Sequence, residues 1–68
     1  MNAMTFRVMS VNREKSMVAV AYGPIKFYCY ITERDGKVLV NKPASIYVEQ
    51  PDFLDLVLTV KNAWNASR

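Results

Sequence analysis

Residues 25–32 read Ile25-Lys26-Phe27-Tyr28-Cys29-Tyr30-Ile31-Thr32, and their alternation decides the fold class. In an extended chain successive side chains point to opposite faces. Ile25, Phe27, Cys29 and Ile31 therefore share one face, and Lys26, Tyr28, Tyr30 and Thr32 share the other. A strand with one apolar and one polar face belongs in an antiparallel sheet covered on a single side.

Working outward, turn residues cut the flanking chain into further short strands. Gly23-Pro24 separates this strand from Met17–Tyr22, a nearly continuous apolar run that reads as a second strand. Before it, Thr5–Val11 is rich in β-branched and aromatic residues, and Asn12–Ser16 is its polar connection. On the other side, Asp35-Gly36 is a pair favoured in tight hairpins and leads into Lys37–Asn41, with Val38 and Val40 on one face. After the loop Lys42-Pro43-Ala44-Ser45, Ile46-Tyr47-Val48 reads as a short fifth strand. The sheet is thus expected within residues 5–48. Met1-Asn2-Ala3 beside a second methionine, Met4, resembles an expression remnant, so residues 1–4 stay outside the fold.

The last segment changes period. Pro51 suits a first helical turn, and Asp52 and Asp55 suit the positive end of a helix dipole. At about 100° per residue, Phe53, Leu54, Leu56, Val57, Leu58, Val60 and Trp64 spread over an arc of about 200°, while Asp52, Asp55, Thr59 and Asn62 crowd into the remainder. A helix over 51–65 follows. A helix resting on one sheet needs an apolar stripe only about half that wide. One sheet can cover the side of Phe53, Val57 and Trp64; Leu56, Leu58 and Val60 are then expected to meet a second copy of the chain. The expected fold is a single α+β domain over residues 1–68. It comprises a twisted antiparallel sheet of four to five strands followed by one C-terminal amphipathic helix, in a homodimer.

Length makes that partner plausible on independent grounds. A chain of 68 residues has a small core, and such folds commonly add disulfides, a metal or a second subunit. One cysteine, Cys29, cannot close an internal disulfide, and with no histidine no metal site is expected. A hydrophobic content of 51% excludes a disordered tail. No apolar run approaches the roughly 20 residues that span a bilayer, and no leader pattern opens the chain, so a soluble cytoplasmic protein without membrane contact is expected. The net charge of +3 is unevenly placed: residues 1–48 hold seven basic and three acidic residues, residues 49–68 two and three. That asymmetry permits an anionic partner on one face without requiring one.

Catalysis finds few candidates. There is no histidine to act as a base near neutral pH, and no glycine-rich phosphate loop, since Gly23 and Gly36 are the only glycines. Glu33 and Asp35 share a turn, and Cys29 lies on the apolar side of its strand, where a structural thiol belongs. No enzyme activity, cofactor or small-molecule substrate is expected. The constellation with chemical content is the polar side of residues 25–32. Lys26, Tyr28 and Tyr30 place a cation and two phenol rings in one row, as binders of single-stranded nucleic acid do. The plain alternative is a solvated sheet face.

A family pattern runs through the same residues. Thr5 to Ala21 read Thr-Phe-Arg-Val-Met-Ser-Val-Asn-Arg-Glu-Lys-Ser-Met-Val-Ala-Val-Ala, with Val11, Asn12, Met17, Ala19 and Ala21 at telling spacings. This resembles the opening of the SpoVG family, the stage V sporulation protein G septation regulators. Gly36–Val40 leading to Pro43-Ala44-Ser45, and the closing Val60…Trp64, are also similar to that family. Where the family carries a basic stretch after its proline, this chain has Ala44-Ser45-Ile46-Tyr47, and Lys42 is the nearest cation. A second resemblance, through Gly36–Val40 and Ile46–Trp64, is to the single-stranded-DNA-binding transcriptional coactivators of the positive-cofactor type. Both resemblances imply a bacterial or regulatory nucleic-acid-binding dimer of sheet and helix.

The expected function is therefore a small non-enzymatic regulatory protein, acting in transcription or septation. Arg7, Lys26, Lys37 and Lys42 would contact phosphate, and Tyr28 and Tyr30 would supply stacking, on DNA or RNA. The rival expectation is a protein–protein interaction module, of the accessory or phage type, without nucleic-acid activity.

Overall fold

A computed structural model describes residues 5–67, and the N-terminal stretch that resembles an expression remnant lies outside the described residues. Four strands run in chain order, β1 (Phe6–Asn12), β2 (Met17–Tyr22), β3 (Ile25–Arg34) and β4 (Lys37–Asn41), followed by helix α1 (Gln50–Ala66). The strands form one antiparallel meander in the order β1-β2-β3-β4.

Turn chemistry sets the register. Gly23, at φ 60°, and Pro24 form a two-residue loop that pairs Tyr22 with Ile25. Asp35 and Gly36, at φ 54° and 78°, form the tight turn that pairs Arg34 with Lys37. Both φ values are positive, as a type I′ hairpin requires. Between β1 and β2 the loop is longer, and the Asn12 Oδ1 accepts a hydrogen bond of 3.0 Å from the Lys15 amide. In β1 the register slips between Val8 and Ser10, leaving Met9 as an extra residue in a bulge.

One face of the sheet is covered by α1. Val18 and Val20 of β2, Phe27, Cys29 and Ile31 of β3, and Leu56, Val60 and Trp64 of α1 form the buried core. Phe6, Val8, Val11, Val38, Val40, Ile46 and Phe53 pack around it. Burying each Val, Leu or Phe contributes roughly 1.5–3 kcal/mol. The helix begins without a side-chain cap, Pro51 occupies its first turn, and the Phe53 amide donates to the Glu49 carbonyl at 2.8 Å. Asp52 stands in that turn and accepts a 3.3 Å hydrogen bond from the Tyr22 hydroxyl, whose ring stacks on Phe6 with centroids 4.3 Å apart.

At the other end, Trp64 joins three parts of the chain. Its indole Nε1 donates to Glu33 at 3.1 Å, and the Arg13 guanidinium lies 4.0 Å above its ring. The same guanidinium donates to the Trp64 carbonyl at 2.8 Å and to Ser67 Oγ at 3.0 Å. A cation on the last carbonyls of a helix complements its dipole.

Two sequence expectations need correction. Ile46-Tyr47-Val48 is not a strand: the Ile46 amide donates to the Pro43 carbonyl at 3.1 Å, which commits the backbone to a turn, and the sheet ends at Asn41. The helix is also rotated from the expected setting. Leu56 and Val60 are 0% exposed against the chain's own sheet, so they are core residues with no surface for a second copy. The sheet takes the side of Leu56, Val60 and Trp64, and the surplus apolar surface is Leu54 and Leu58, at 61% and 59% exposed. Asp55 lies beyond the first turn and is exposed.

This rotation predicts opposite outcomes for two leucines only two residues apart, which a helix places on opposite sides. Leu56→Ala leaves a cavity and should cost about 2–5 kcal/mol in denaturant unfolding. Leu58→Ala should change the stability of the single chain, measured at concentrations too low for two copies to pair, by no more than about 0.5 kcal/mol. Equal losses at the two positions would overturn the helix setting.

Candidate functional site

The face of the sheet opposite α1 has no covering element among the described residues. Its composition follows from the register. Arg7 and Lys26 both pair with Ala21; Ser10 and Tyr28 both pair with Ala19; Met17 lies beside Tyr30, which pairs with Asn41; Thr32 pairs with Leu39, and Arg34 with Lys37. All these side chains alternate with the core residues and so point away from the helix. Ala19 and Ala21 keep the middle of β2 low, and Lys26 and Tyr28 stand beside it. Met9, Ala19, Val20, Lys26, Phe27 and Tyr28 line a depression of about 100 Å³.

Read along β3, the face has cations at both ends and rings between them. Arg7 and Lys26 lie at one end, Tyr28 and Tyr30 in the middle, and Arg34 and Lys37 at the other. The nine residues from Lys26 to Arg34 span about 26 Å, at roughly 3.3 Å per step. Tyr28 and Tyr30 are each 54% exposed, so their rings present area without being packed into the fold. Met9 and Leu39 add half-exposed apolar surface beside them.

No carboxylate joins this face among the described residues. Glu33 is on the helix side, where its carboxylate receives the Trp64 indole, and Glu14 and Asp35 sit in turns. Glu49, Asp52 and Asp55 belong to the start of α1 or the chain just before it. The net charge of +3 is therefore resolved into an acid-free sheet face with four cations and a helix side holding most acids. Electrostatic potential over a surface adds from such groupings, so this face attracts anions more strongly than the small net charge implies.

Of the expected site residues, the structure brings Arg7, Lys26, Tyr28, Tyr30 and Lys37 onto one face. It does not bring Lys42 there. Lys42 follows β4, is half-buried, and donates to the Pro43 carbonyl at 3.2 Å. Its charge acts on the Cys29 thiol, which lies on the helix side of the sheet. Alternation accounts for this: beyond β4, Lys42 continues the series of Val38 and Val40, not that of Lys37 and Leu39. Arg34 was missed as a site residue because it reads as part of a polar turn. Counting alternate positions onward from Tyr30 would have found it. Tyr22, by contrast, faces the helix and Asp52, where desolvation and the Asp52 charge raise its pKa.

Cys29 is fully buried, and burial pushes its thiol up to about 11, a rise that the Lys42 charge partly offsets. A group whose pKa is raised by folding favours the folded state below its unfolded pKa, and that contribution disappears as pH climbs through the folded value. Conformational stability should therefore decline as pH rises from about 9 to about 11. Alkylation of Cys29 at pH 8 should proceed at the rate of global opening. Rapid alkylation of the folded protein would contradict the burial.

The chain matches no family model, no curated protein and no solved structure.

Proposed function

We propose that this chain is a non-enzymatic nucleic-acid-binding protein whose open sheet face takes a short single strand. The observation that carries the reading is the acid-free face on which Tyr28 and Tyr30 stand between two pairs of cations. Exposed rings stack on unpaired bases irrespective of sequence, and cations along the path neutralise phosphates. A track of about 26 Å suits a segment near the lower end of the single-strand site sizes, about four nucleotides. A broad sheet face with flat rings gives little purchase on paired bases, whose faces are hidden in the stack.

Arg7, Lys26, Arg34 and Lys37 are assigned phosphate contact, and Tyr28 and Tyr30 base stacking. A regulatory role in transcription or septation, and a cytoplasmic setting, enter the proposal through the sequence resemblance to SpoVG and coactivator proteins. No helix among the described residues is long and apolar enough to cross a membrane, which is compatible with that setting. A homodimer is part of the same proposal. Its seam is assigned to Leu58, joined by Leu54, on the side of α1 away from the sheet. Pairing two chains there leaves both tyrosine faces open, pointing away from the seam.

Binding of a labelled oligothymidylate should weaken with salt, with a log–log slope of about −3 for four phosphates on a single strand. Tyr28→Ala should cost about 1–3 kcal/mol of affinity, and Lys26→Ala should make the slope shallower by roughly one contact. Absence of binding at low salt to single strands of either DNA or RNA would overturn the function. Sedimentation at micromolar concentration should give twice the 7.8 kDa chain mass, and Leu58→Glu should return it to one chain. A single-chain mass in the unaltered protein would remove the dimer and leave the binding face standing.

A further inference from the structure

We infer that the free edge of β4 captures an extended acidic peptide as an added strand. β4 ends the sheet, with no described strand beyond it. In a hairpin closed by two residues, the flanking pair exchanges both backbone hydrogen bonds, and paired and unpaired positions then alternate. Lys37, Leu39 and Asn41 accordingly direct their backbone groups at β3, and Val38 and Val40 direct theirs out of the sheet. An incoming strand would meet those amides and carbonyls.

The other edges are less suited. β1 carries the bulge at Met9, which breaks the regular spacing a new strand needs. The part of β3 that β4 leaves unpaired, residues 25–29, is five residues long and ends against Asn41 of β4, which pairs with Tyr30. Among the described residues, β4 joins a regular free edge to a groove. That groove, of about 620 Å³, is lined by Gly36, Lys37, Val38, Leu39, Lys61 and Asn65, between β4 and the last turns of α1. Gly36 leaves its entrance clear, because a Cβ built there meets nothing within 4 Å.

Charge selects the occupant. The lining holds two lysines and no carboxylate, so acidic side chains on an added strand would find Lys37 on one side and Lys61 on the other. A second copy of the chain is disfavoured at the same place, since pairing two β4 edges gathers Lys37 and Lys61 of both chains in one seam. A nucleic acid can satisfy the lysines but has no amide ladder to offer Val38 and Val40. The inference stands on the β4 edge and does not depend on the tyrosine face.

The test uses a labelled, capped hexapeptide alternating glutamate and valine, with a lysine–valine peptide as its counterpart. Binding is read by fluorescence anisotropy and by amide hydrogen exchange of the protein. The glutamate peptide should bind, the lysine peptide should not, and the Val38 and Val40 amides should gain protection on binding. Lys61→Glu should weaken the glutamate peptide by about fivefold and leave oligothymidylate binding unchanged. Four results overturn the inference: no binding of the glutamate peptide; equal binding of both peptides; protection of Val38 and Val40 without peptide, which points to a second copy; and a parallel loss of oligothymidylate binding in Lys61→Glu, which makes the groove part of the nucleic-acid path. Failure of oligothymidylate binding in the unaltered protein touches only the tyrosine face.

Discussion

The indole of Trp64 is the contact on which the small core depends. It is buried at the end of α1, receives the Arg13 guanidinium on its ring, and donates through Nε1 to Glu33. One side chain thus ties the β1–β2 loop, the far part of β3 and the helix C-terminus. Arg13 adds a second function to the same joint by donating to the Trp64 carbonyl, which a helix end otherwise leaves without an intrahelical partner. With the Tyr22–Asp52 hydrogen bond near the helix start, both ends of α1 are held to the sheet by polar contacts, and Leu56 and Val60 fill the space between. A chain of this length with a single cysteine needs such joints because few apolar residues are available.

That arrangement also explains why the opposite face is free to carry polar chemistry. The one helix is committed to the side of Val18, Val20, Phe27, Cys29 and Ile31, so Tyr28 and Tyr30 have no packing duty. The acids follow the helix: Asp52 suits its N-terminus, and Glu33 answers the indole. Structural demands on the helix side thereby draw most carboxylates off the sheet face, and the cations that remain opposite form a field by default. Stability and the proposed binding surface are two results of one partition.

The strands and the helix were legible because each has a local cause. Alternation in residues 25–32, the Asp35-Gly36 turn and the change of period after Pro51 depend on neighbours in sequence. The helix rotation was not legible. Its apolar arc is wider than one sheet can cover, and the choice between Leu56–Val60 and Leu54–Leu58 is made by sheet residues far away in the chain. The Arg13–Trp64 joint links residues separated by 51 positions and leaves no local trace. Ile46-Tyr47-Val48 has the composition of a strand, but its backbone is spent on the Pro43 turn. For the site, Lys26, Tyr28 and Tyr30 followed from alternation alone. Assigning Lys42 and Arg34 to faces required the hairpin register, which distinguishes positions one residue apart.

The length mismatch between the strands has a geometric consequence. β2 pairs with β3 only as far as Tyr30, so Thr32 to Arg34 pair with β4 alone and project as a two-stranded ribbon. Two-stranded ribbons twist more than wider sheets. The row with Arg34 and Lys37 is therefore turned, like one end of a propeller blade, relative to the row with Arg7 and Lys26. A polymer laid along β3 meets two differently inclined ends, and reversing it does not restore the same fit. If the proposed single strand binds there, a chain with its own chemical polarity would lie on the face one way round.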